Sequence, residues 1–119
     1  MGAPKSIWFA VLLLALFAGS APASRAAVPA VVVSIKPLAG LVAAVMEGVG
    51  APEVLVPSGA SPHTYALKPS DRAKLDRAAV VVWGGPELET FLERPLCSIQ
   101  SVQLIAVMQL PGLNLLPAR

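Results

Sequence analysis

The sequence predicts an α/β fold in which a parallel sheet is covered by helices. Three observations carry this expectation. Short apolar runs rich in valine recur at Val31–Ile35, Val54–Val56 and Ala79–Trp83 without polar alternation, as strands buried on both faces require. Between the first two lies a segment whose apolar residues repeat at helical spacing. Cys97 is the only cysteine, so an internal disulfide is excluded and a packed core must supply the stability.

Ahead of the first strand, residues Met1 to Ala23 have the three parts of a secretory signal: a positive start at Lys5, the apolar run Ile7 to Ala18, and a small-residue stretch from Gly19 to Ala23. Ala21 and Ala23 suit the small pockets of a signal peptidase, and Ala27 offers a later end point. The apolar run is shorter than the roughly 20 residues that a spanning helix needs. Residues 1–23 are therefore expected to be a signal peptide, with cleavage at the latest after 27. Residues 28–119 then suffice for one modest core. The formal net charge of +2 includes Lys5, and the remainder of the chain is nearly balanced, with both signs interspersed. Nucleic acid is a poor partner for such a surface, because phosphate binding needs a concentrated basic face.

The elements come in order along the chain. Val31–Ile35 is the first strand. Pro37 can open a helix without losing a hydrogen bond, and Leu38, Leu41, Val42, Val45 and Val49 give that helix an apolar face. Gly48, Gly50 and Pro52 end it. Val54–Val56 is the second strand, closed by Pro57. Ser58–Leu67 (SGASPHTYAL) is a loop by composition. Pro69 opens the next helix, where Ser70 and Asp71 can satisfy free N–H groups, and Arg72 and Asp76 can pair four residues apart. Ala79–Trp83 is the third strand, broken by Gly84-Gly85. Glu87–Arg94 reads as a short helix showing Leu88, Phe91 and Leu92 to the core. Val102–Val107 adds a fourth strand. Pro111, Gly112, Pro117 and Arg119 form no closing element, so the sheet is expected to lack later strands or a covering helix.

His63 is the only histidine. It falls in the loop after the second strand, on the side where open parallel sheets place ligands. An imidazole there can donate a lone pair to Zn²⁺, with Pro62 restricting the backbone before it. On position alone, a lone loop histidine is more often an ordinary surface residue. There is no Ser-His-Asp set, no base beside a nucleophile and no phosphate-cradling glycine loop, so an enzyme is not expected.

The stretches Val33–Leu41 (VSIKPLAGL), Gly59–Asp71 (GASPHTYALKPSD) and Val81–Leu92 (VVWGGPELETFL) resemble the solute-binding receptors of zinc and manganese ABC importers, most of all the zinc-specific periplasmic branch. Leu110–Arg119 resembles the same family less specifically. The resemblance implies two α/β lobes joined by a long helix, with the metal in the cleft between them. This chain would be the first lobe, truncated. By the same resemblance His63 is the first Zn(II) ligand, the other ligands lie in parts absent from this chain, and the histidine-rich loop common in zinc receptors is absent too. It also implies a soluble monomer in the periplasm that delivers zinc to a membrane permease and its ATPase. A manganese or other divalent-metal receptor, or a non-functional α/β fragment, is the alternative. Tyr65 and Trp83 are candidates to support or line the site, and packing roles suit them equally. Glu47, Glu53 and Glu87 read as solvent-facing, and Cys97 as a buried thiol without a metal partner.

Overall fold

Valine's branched side chain packs well on a pleated surface, and each valine run indeed becomes a strand. The computed structural model describes residues 27–116, so the expected signal peptide and residues 117–119 lie outside the described residues. Strands β1 (Val31–Val33), β2 (Glu53–Val54), β3 (Val80–Trp83) and β4 (Gln103–Ala106) form one parallel sheet in the order β2-β1-β3-β4. Val32 is level with Glu53 on one side and Val81 on the other, and Val81 with Leu104. Beyond the short β2, the Leu55 and Val56 N–H groups still donate to Val33 and Ser34 carbonyls, at 2.9 and 2.8 Å.

Helices α1 (Lys36–Val45), α2 (Pro69–Arg77) and α3 (Thr90–Cys97) make the parallel connections. Strand side chains alternate between faces, and the two faces are covered unequally. On one, Val32, Val81 and Trp83 pack with Leu75 of α2 and Leu92 and Leu96 of α3 in a single apolar core. On the other, α1 shares an apolar groove of about 440 Å³ with Val31, Val80, Val82 and Ile105. The stripe expected to bury α1 is in place but open: Leu41 is 68% and Val45 86% exposed. Among the described residues no helix is long and apolar enough to cross a membrane.

Two further expectations shift. The last helix starts at Thr90 and not Glu87, because Gly85 O accepts the Leu88 and Glu89 N–H groups in a turn first. It also runs through Pro95 to Cys97, and Cys97 is exposed, not buried. The Arg72–Asp76 pair forms as expected, Nε to Oδ1 at 2.8 Å.

Candidate functional site

Because β2 lies on one edge while β3 lies across β1, the chain leaving β2 must cross the carboxyl edge of the sheet to reach α2. Residues 57–68 make that crossing as two successive turns. The first is closed by Ala60 N–H to Pro57 O at 3.2 Å, with Gly59 at φ +88°, the third turn position that favours glycine. The second is closed by Thr64 N–H to Ser61 O at 3.3 Å. Its inner residues are Pro62, whose ring pre-sets the backbone, and His63, whose φ is negative. His63 is thus carried at a turn tip, exposed, at the ligand side of a parallel sheet.

Tyr65, two residues on, anchors this loop. Its ring is half-buried and meets Phe91 of α3 edge-on, with centroids 5.4 Å apart. Its hydroxyl donates to Asp71 Oδ2 at 2.8 Å, and the same oxygen accepts the Lys68 N–H at 3.1 Å, closing the start of α2. Partial burial pushes the Tyr65 phenol above its ordinary value; its hydrogen bond to Asp71 and the Asp71 charge push the same way. One buried carboxylate therefore ties both the loop and the helix after it.

Trp83 is buried, 7% exposed, and packs in the core between α2 and α3. Next to it lies a group that sequence reasoning missed. Glu89, fully buried, accepts the Gly84 N–H through Oε2 at 2.6 Å. Its Oε1, Ser34 Oγ and Trp83 Nε1 are buried without a hydrogen-bond partner among the described residues. Ser34 comes directly after Val33, which is level with Val82, and so sits beside Trp83. Ser34 and Trp83 stand at the carboxyl ends of the central strands, and Glu89 is bonded to the end of one of them. A glutamate at the start of a predicted helix reads as a solvent-facing dipole partner, and only the Gly84-Gly85 turn ahead of it hinted otherwise.

A cavity of about 370 Å³ opens beside the His63 turn, lined by Ile35–Pro37, Val56–Ala60 and Pro62. Among the described residues Lys36 is the only charged one lining it, and its Nζ donates to Ser58 Oγ at 3.2 Å. An ammonium in an otherwise uncharged hollow repels a cation, so this hollow is not where a metal would sit. Glu47, Glu53 and Glu87 are exposed, and Glu53 pairs with Arg77 at 3.2 Å. Among the described residues no three His, Cys, Asp or Glu side chains converge to hold a metal ion.

Residues 31–116 match the family model described as zinc-uptake complex component A, periplasmic (ZnuA). The chain is 45% identical over 110 residues to the high-affinity zinc uptake system protein ZnuA of Yersinia pestis, spanning 92% of this chain and 35% of that protein. With the protein of the same name from Brucella abortus the identity is 42% over 115 residues, spanning 96% and 34%. The chain therefore spans about a third of the length of the curated relatives it matches. Among solved structures, the periplasmic zinc binding protein TroA of Treponema pallidum superposes with a TM-score of 0.63 at 28% identity, over 66% of this chain and 29% of that one. The Mn-bound periplasmic metal binding protein of Candidatus Liberibacter asiaticus gives 0.64 at 20% identity, over 72% and 32%, a likeness of fold.

Proposed function

We propose that this chain, which belongs to the family of periplasmic zinc-uptake components, forms one wall of a receptor that captures Zn²⁺ outside the cytoplasm and hands it to an ABC-type permease and its ATPase. Membership makes it a metal solute-binding protein of transport, not an enzyme. Zinc is cargo here, and no covalent bond is made or broken. In this reading residues 1–23 direct export to the periplasm, with cleavage as late as 27. Residues 28–119 act as the first lobe of a soluble, monomeric receptor.

His63 supplies one imidazole nitrogen. Zinc held by protein takes three or four protein ligands, so the remaining donors come from residues outside this chain, across a cleft. Closure over the ion would then be the shape that the permease reads. The observation that carries the reading is the exposed placement of His63 at a proline-set turn, on the ligand side of the sheet, inside the matched span. The names of the curated relatives, both zinc uptake proteins, support zinc as the cargo.

Calorimetric titration of the natural-length protein tests this. One tight zinc site is expected, weakened by more than about 100-fold in His63→Ala, since a lost ligand must cost more than the 10–100-fold of a lost supporting group. Unchanged affinity in that variant would remove His63 from the site. Manganese that displaced zinc at equal concentration would change the cargo.

A further inference from the structure

We infer that Glu89 is a positioning residue for His63, acting through Phe91 and Tyr65. This rests on the zinc reading above and extends it to a group that cannot itself reach an exposed ion. Glu89 is fully buried, and among the described residues its carboxylate bonds only the Gly84 N–H at the end of β3. Glu89 is the residue immediately ahead of α3, and its side chain bonds no N–H of that helix, so the bond to Gly84 ties the entry of α3 to the end of β3. Phe91 lies in the first turn of α3 and packs against the core from its partly buried side. Its ring supports Tyr65 edge-on, and Tyr65 is pinned at its far end by Asp71. His63 is two residues from Tyr65, across Thr64, whose N–H closes the His63 turn.

A displaced carboxylate would shift the first turn of α3, release the Tyr65 ring from Phe91, and let the His63 turn swing. The approach at Gly84 is already close: a Cβ there would lie 2.7 Å from Leu88 Cδ2 and 3.3 Å from Glu89 Oε2. Strand end and helix start are thus held together with little slack. Groups that hydrogen-bond a metal-binding imidazole directly govern affinity by about 10–100-fold; Glu89 acts through intervening side chains, so its effect should fall at the low end of that range.

The test measures zinc affinity by calorimetry and the Tyr65–Phe91 ring contact by NMR, both in the natural-length protein. Glu89→Ala should weaken zinc by about 10-fold and move the Tyr65 and His63 ring resonances while far-UV circular dichroism stays native. Glu89→Gln keeps a carbonyl oxygen for the Gly84 N–H and should stay within about threefold of the parent, as a retained hydrogen bond implies. Should Glu89→Ala fail to fold, Phe91→Leu breaks the same path further along and should show the same loss and the same resonance shifts. In a His63→Ala background neither substitution should weaken residual binding further, because residues acting through one group are not additive.

A full, undiminished loss in that background overturns the inference. So does a folded Glu89→Ala protein with parental affinity and unmoved rings. If His63→Ala alone leaves zinc binding intact, the zinc reading fails, and the ring resonances still decide whether Glu89 positions His63.

Discussion

Asp71 Oδ2 takes two donors, the Tyr65 hydroxyl and the Lys68 N–H, so one atom decides both the loop anchor and the start of α2. Tyr65 is the only tyrosine, which makes the arrangement measurable by phenol absorbance. Its folded value is raised by partial burial first and by Asp71 second. The neutral phenol is therefore the form that stabilises the fold. That stabilisation is fully present below the unfolded value of about 10 and is lost as pH rises through the raised value. Absorbance titration should show ionisation above the ordinary range, accompanied by loosening of the loop. Asp71→Asn keeps an acceptor but removes the charge, so it should bring the titration back toward the ordinary value. The same substitution removes a negative charge from the first turn of α2 and should lower stability at neutral pH by about 0.3–1 kcal/mol, as loss of a favourable helix-end charge does. A Tyr65 titration unmoved by Asp71→Asn would mean that burial alone sets it.

Elements with strong local punctuation are the legible ones. Pro69 opens α2 where its missing N–H costs nothing, and the Arg72–Asp76 pair follows from helical spacing alone. Helix α3 is harder to read, because two features there contradict local rules. The Gly84–Leu88 segment places its helix-like residues in a turn, and Pro95 sits inside the helix, where a sequence reading ends it. Leu96 escapes a sequence reading of the core for that reason, although it is 2% exposed. Cys97, expected as a buried thiol for want of a Cys or His partner, is exposed near the end of the extended helix. Glu89 is invisible in the sequence because its partner is a backbone N–H at the end of another element, which no side-chain pattern encodes. The two turns carrying His63 make the clearest prediction at this scale. Gly59 at φ +88° has open space where a Cβ would go, so Gly59→Ala introduces only backbone strain. Its cost should be about 1 kcal/mol by urea unfolding. A neutral result would mean that the turn relaxes freely and does not hold the loop.

Across the whole molecule, the two faces of the sheet differ in what their apolar residues contribute. Leu75 is fully buried between α2 and the sheet, so Leu75→Ala should cost 2–5 kcal/mol, roughly the usual range for emptying a core site. Leu41 and Val45 repeat at the right helical spacing, yet both are mostly exposed beside the groove that α1 makes with the sheet. Val45→Gln should therefore change the stability of this chain by less than about 0.5 kcal/mol. Spacing is a property of the element and is legible; burial is a property of what packs against it and is not. The candidate site divides the same way. His63 is legible as an exposed imidazole on the ligand side of the sheet, but its weight as a ligand comes from the Ser61–Asp71 string as a family pattern, since spacing cannot tell a ligand from a surface histidine. The chemistry then sets a requirement on the natural-length protein: a single imidazole cannot hold zinc tightly, and the described residues bring no metal-holding cluster to it. X-ray absorption at the zinc edge of that protein, loaded with one equivalent, should resolve more than one imidazole in the coordination sphere. His63→Ala should remove one of them while leaving the rest. A spectrum unaltered by His63→Ala would mean that zinc is held without His63, and one with no protein donor besides a single imidazole would mean that no opposing wall completes the proposed site.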